Sequence, residues 1–301
     1  MIAAVDTQRT TQLGVAALLL AGLLFGLMWA PLKYFANQGI GGLVLTLTTY
    51  GAVGLLGLPL LLAQKERWYR QRWLLIAGGL FGGAANVVFV SALMTGDVMR
   101  VMLLFYTAPV WSVLGARLLF HEVLTPIRLV AIIMALLGAA LVLGGPDAFG
   151  APLSTVDLLA LASGLLYAAQ NLVSRAAQHV PILSKTVAVL FGCGLLSGLL
   201  LPFSTQVMPS ISLAHGLQLL VFAVFWLVTA MWVTMYGVTH LEASRSAVLL
   251  VVELVVAVVS ALILTGEQLN VLGWIGAALI VVAALSEARV ANSPNLNGKP
   301  A

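Results

Sequence analysis

The chain has 301 residues, of which 61% are apolar and only 24 are charged, 14 Lys and Arg against 10 Asp and Glu. So little polar surface cannot cover a water-soluble globule of this size, which makes the lipid bilayer the solvent. The net charge of +4 then reflects orientation in a membrane and not nucleic-acid binding.

An apolar stretch of about 20 residues crosses the hydrocarbon as a helix, because a helix satisfies its own backbone hydrogen bonds there. Ten stretches qualify, near 12–31, 40–62, 73–95, 98–119, 128–145, 155–176, 183–203, 214–237, 245–265 and 270–288. The first follows Arg9 and could be read as a signal peptide, but Pro31-Leu-Lys-Tyr34 offers no small-residue cleavage site, so a retained first span is expected. The expected fold class is an all-α integral membrane protein of ten transmembrane helices.

Lys and Arg in the connections orient the spans. With the N-terminus inside, the inner side holds twelve, namely Arg9, Lys65, Arg67, Arg70, Arg72, Arg117, Arg128, Arg175, Lys185, Arg245, Arg289 and Lys299, and the outer side only Lys33 and Arg100. Both termini are therefore expected in the cytoplasm, with the protein in the inner (plasma) membrane. Cys193 is the sole cysteine and falls in a span, which excludes an intrachain disulfide and a cysteine metal cluster. Residues 291–301, with Ser, Pro, Asn, Gly and Lys, read as a disordered tail.

Residues 97–142 recur, blurred, at 242–287. At a constant spacing of 145, Asp97 meets Glu242, Arg100 meets Arg245, Leu104 meets Leu249, Val110 meets Val255, Glu122 meets Glu267 and Leu124 meets Leu269. This divides the chain into repeats at 1–145 and 150–290 of five helices each, and an odd number of spans inserts the second copy upside down. Inverted repeats supply two related conformations, the basis of alternating access around a mid-membrane cavity. A membrane enzyme or receptor is the alternative; no HExxH, GxSxG, P-loop or paired-carboxylate motif supports an enzyme. His121, His179, His215 and His240 scatter near span ends, and no metal or cofactor is expected.

Ala108-Pro109-Val110 followed by Phe120-His121-Glu122, and Val252-Glu253-Leu254-Val255 followed by Thr265-Gly266-Glu267 and Gly276–Ile280, resemble the EamA-type units of the drug/metabolite transporter superfamily. The resemblance covers residues 10 to 290. It implies an exporter of small metabolites, with amino acids, especially hydrophobic or aromatic ones, as the leading substrates and the aromatic amino acid exporters as the nearest branch. A multidrug or lipophilic-cation exporter is the rival. Leu254 stands where the family pattern has Pro, so the ninth helix is expected to be straighter than the fourth.

Polar groups inside spans are costly in lipid and face protein or a cavity. Ser163, Tyr167, Gln170, Asn171 and Ser174 share one stripe of the sixth span. Trp226, Thr229, Trp232, Val233, Tyr236 and His240 form an aromatic stripe on the eighth, and Ser246, Glu253 and Ser260 repeat every seven residues on the ninth. With Trp29, Asn86 and Tyr106 they suggest an aromatic cavity with a few hydrogen-bonding groups, suited to a small amphipathic solute. The candidate substrate-binding residues are Trp29, Asn86, Tyr106, Tyr167, Gln170, Asn171, Thr229, Trp232, Tyr236 and Glu253; helix-to-helix bonding and interfacial anchoring are the competing roles. Glu253 has two readings, a proton or amine carrier and a structural cap for loosened backbone. Glycine pairs four apart, such as Gly22 with Gly26, let helices approach closely.

Overall fold

A computed structural model describes residues 2–95, 98–122, 125–142, 154–204, 206, 213–265 and 270–290. The repeat landmarks Asp97, Leu124, Glu267 and Leu269, and the tail from 291, lie outside the described residues. Every regular element among the described residues is helical: α1 (Ile2–Gly26), α2 (Trp29–Asn37), α3 (Gly42–Thr46), α4 (Ala52–Ala63), α5 (Lys65–Trp68), α6 (Arg72–Thr95), α7 (Val98–Phe105), α8 (Ala108–Phe120), α9 (Pro126–Val142), α10 (Thr155–Ala176), α11 (Ile182–Leu200), α12 (Leu213–Val221), α13 (Val228–His240), α14 (Ala243–Leu250), α15 (Val252–Thr265) and α16 (Val271–Val290).

Among the described residues six helical stretches are long and apolar enough to cross a membrane: Arg9–Leu32, Gly42–Ala63, Lys65–Ala92, Thr155–Ala176, Ile182–Phe203 and Leu213–His240. Two of them contain a π-helical turn, Leu47–Gly51 between α3 and α4 and Phe222–Leu227 between α12 and α13. The helix α10 coincides with the expected sixth span because a capping box starts it: Asp157 N–H donates to Ser154 Oγ (3.2 Å) and Ser154 N–H to Asp157 Oδ2 (2.6 Å). The exterior is coated with exposed Leu56, Leu118, Phe203, Phe225 and Ile263, an outer surface suited to lipid tails.

The fourth expected span breaks into α7 and α8 at Tyr106–Thr107, and the ninth into α14 and α15 at Val251. The ninth span, though it lacks the proline, is thus broken as well. Val251 adopts a tight turn in which its N–H donates to Val248 O (3.2 Å) and Leu254 N–H donates to Val251 O (3.0 Å), with no proline involved.

Packing explains why. α1 lies against α13, α14 and α15, α6 against α10 and α11, and α9 against α16. A Cβ on Gly22 would come within 3.3 Å of Glu253 N, and one on Gly26 within 2.6 Å of Glu253 O, so α1 sits directly on the backbone of the ninth break. A Cβ on Gly164 of α10 would come within 2.7 Å of Phe105 O at the fourth break. The two broken spans share one core with α9 and α16, built around Tyr106, Val113, Ala135, Val248, Leu254 and Ile280, so the two repeat copies pack on each other.

Candidate functional site

The two breaks meet at a cavity of about 20 Å³, space for roughly one water molecule. From the fourth span it is lined by Phe105, Tyr106, Ala108, Pro109 and Ser112, from α10 by Tyr167 and Asn171, and from the ninth span by Ala247, Leu250, Val251 and Glu253. Breaking a helix frees backbone groups, and the fourth span satisfies one of them locally: Thr107 Oγ1 donates to Leu104 O at 2.7 Å. Glu253 lies in the first turn of α15, where a helix N-terminus favours negative charge.

The carboxyl of Glu253 has three tyrosines in electrostatic reach, Tyr50, Tyr106 and Tyr167, and among the described residues no Lys or Arg stands beside it. The Tyr106 hydroxyl is buried without a hydrogen bond of full geometry, as is Asn171 Oδ1. Phe105 stacks on both tyrosines, at 5.6 Å from the Tyr106 ring and 5.5 Å from the Tyr167 ring. The wall is thus aromatic, carries one acid, and leaves polar atoms unused at its closed volume.

Of the ten candidates, Tyr106, Tyr167, Asn171 and Glu253 line this cavity. Asn86 neighbours Tyr50, one step behind it. Gln170 turns away, its Nε2 donating to Met235 Sδ at 3.7 Å. Trp29 donates through Nε1 to Ser260 Oγ at 2.8 Å and ties the first span to α15. Tyr236 stacks on His240 with ring centres 4.3 Å apart, while Thr229 is exposed and Trp232 is 47% exposed. Thr229 and Trp232 of the eighth-span stripe therefore face outward, where Trp is at home in a membrane interface, while Val233 is buried and Trp226, Tyr236 and His240 are half-buried.

The same search for polar groups inside spans would have found Ser112 and Tyr50, which were not singled out. It also missed the cations. Lys185 and Arg245, expected in the inner water, are 4% and 6% exposed. Lys185 Nζ donates to Ser174 O and Ala177 O at 3.0 Å each and to Thr239 Oγ1 at 2.5 Å, using all three of its protons on the end of α10 and on α13. Arg175 Nη1 donates to Thr239 O at 2.9 Å.

The sequence profile of the EamA-like transporter family matches twice, over residues 12–144 and 154–286. The chain belongs to the EamA-like transporter family. It is thereby a multi-pass membrane transporter of small molecules, in a family of transporters and not of enzymes. Laid start to start, the two matched EamA segments pair Gly22 with Gly164, the glycines that touch the ninth and fourth breaks. Among solved structures 27 chains match; one, titled only as the crystal structure of a protein, superposes with a TM-score of 0.74 at 21% identity over 94% of this chain and 98% of its own, which establishes the fold alone. No curated protein sequence matches.

Proposed function

We propose that this EamA-like protein exports hydrophobic or aromatic amino acids across the inner membrane by alternating access, with ten spans in two inverted repeats at 1–145 and 150–290 and both termini in the cytoplasm. The observation that carries the reading is the cavity between the two breaks, where the Glu253 carboxyl stands against Tyr106 and the other aromatic rings. An ammonium group answers the lone Glu253 carboxyl, which is otherwise expensive so deep in a bilayer. An apolar side chain fits among Phe105, Tyr106 and Tyr167, and the hydroxyl of Ser112 with the amide of Asn171 would hold a carboxylate. At about 20 Å³ the cavity has room for roughly one water molecule, so a larger solute fits only when the helices around it part.

With no P-loop in the sequence, transport is read as facilitated or gradient-coupled; one charge moved through 100 mV would supply about 2.3 kcal/mol. Among the described residues no Lys or Arg charge acts on Glu253, which also supports a second reading, export of lipophilic cations.

Counterflow of radiolabelled phenylalanine, leucine and threonine into proteoliposomes holding the purified protein tests the first reading against empty vesicles. Saturable phenylalanine uptake is the expected result. No uptake of any of the three by folded protein overturns it, and Glu253-dependent uptake of a lipophilic cation instead would establish the second.

A further inference from the structure

Toward one end of the bundle a buried apolar cluster borders the cavity. The cavity-lining face of α8 continues from Ser112 to Ala116 and Phe120, and that of α14 runs back from Ala247 to Ala243. Ala116, Ala243 and Leu172 of α10 are buried together, with Phe120 packed against them, so the three helices that line the cavity close over it with apolar side chains. A Cβ on Gly115 would clash with Leu172 Cδ1, which shows how little space separates α8 from α10 here.

Beyond this plug the two repeats are pinned. His121 ends α8 in the left-handed region (φ 54°), the one non-glycine residue with positive φ among the described residues. Its N–H and that of Glu122 both turn back to Ala116 O, and the reversal sends Glu122 across to the second repeat. There Glu122 Oε1 accepts from Ala243 N–H at 3.1 Å. The N-cap of α14 is Glu242, whose side chain makes no capping bond, so a carboxylate from the first repeat serves the first turn of a helix in the second.

We infer that Glu122 is the latch of this gate: its bond to the start of α14 holds α8 against α14 over the Ala116–Leu172–Ala243 plug, and it must break for the cavity to open toward that end. A hydrogen bond of this kind contributes only modestly in net terms, little enough to be released within one transport cycle. The inference rests on the alternating-access reading, but its test needs no substrate.

The experiment places one cysteine in the cavity, Ser112→Cys, in a Cys193→Ser background, since Cys193 is the chain's sole cysteine and is buried. Labelling by a membrane-impermeant maleimide is timed from each face of sealed vesicles. Glu122→Ala is expected to speed labelling from the face that carries Glu122 by about tenfold, while Glu122→Gln, which keeps an acceptor oxygen, changes it far less.

Ala243→Pro removes the donor instead. Proline is accepted at the first position of a helix, and Glu242 at ψ 143° suits a following proline, so the backbone at this position is compatible with the substitution. It should match Glu122→Ala, and the double variant should add nothing. Unchanged labelling from the Glu122 face in both single variants, or an equal rise from both faces, overturns the latch. Phenylalanine counterflow then still stands or fails on its own.

Discussion

The fourth and ninth spans occupy equivalent places in the two repeats and break at equivalent points, yet they reach the break by different chemistry. The fourth has Ala108-Pro109 after its turn and a threonine hydroxyl that adds a second bond to the Leu104 carbonyl, which the Thr107 N–H also reaches at 3.2 Å. The ninth has Glu253-Leu254 at the same repeat positions, no proline, and a tightened turn of backbone bonds alone. What the two share is a glycine helix pressed on the break, Gly164 on one and Gly22 with Gly26 on the other. Tertiary packing sets the kink and proline merely tolerates it. The residues that differ set the chemistry: Ala108 and Glu253 both line the cavity, so a nearly symmetric scaffold carries a one-sided site.

The largest effect should come from filling the shared contact. Gly164→Val drives a side chain into Phe105 O and is expected to cost about 3 kcal/mol, seen as a lower unfolding temperature in detergent and a fall in membrane yield. If it is tolerated, packing does not hold the fourth break.

A smaller effect is expected from the hydroxyl. Thr107→Val should destabilise by about 1 kcal/mol, because the Leu104 carbonyl loses its 2.7 Å partner. The reverse exchange, Val252→Thr at the equivalent position of the ninth span, should raise stability by about 0.5 kcal/mol. Equal losses at both sites would show that the two breaks do not differ as described.

The smallest is Pro109→Ala. Pro109 sits in the first turn of α8, where its missing N–H costs little, so stability should change by less than about 0.5 kcal/mol and hydrogen exchange at Tyr106–Thr107 should stay as it is in the parent. Slowed exchange there would return the kink to the proline.

The contrast also shows what could be read in advance. The six membrane-length helices and the repeat follow from apolar length and charge landmarks, and the cost of polar groups in lipid singled out Tyr106, Tyr167, Asn171 and Glu253, which line one cavity. The ninth break did not follow, because its cause is a contact between Gly26 and Glu253, far apart in the chain, and Leu254 carries no local sign of it. The eighth span misled for a different reason. Trp232 and Thr229 make a convincing stripe, but in a bilayer the lipid-facing and cavity-facing sides of a helix both accept aromatic and hydroxyl groups, so periodicity alone does not tell them apart. Lys185 was hidden likewise: a cation near a span end reads as a loop charge until the carbonyls of Ser174 and Ala177 are seen around it.

The most direct measurement sets the cavity acid against the outward stripe, comparing phenylalanine counterflow by the parent, Glu253→Gln and Trp232→Ala at matched protein. With the solute site at the two breaks, Glu253→Gln should lose about tenfold or more of the activity while keeping its unfolding temperature, and Trp232→Ala should stay within about twofold of the parent. Loss in Trp232→Ala with full activity in Glu253→Gln would contradict the account and move the site to the face of the eighth span.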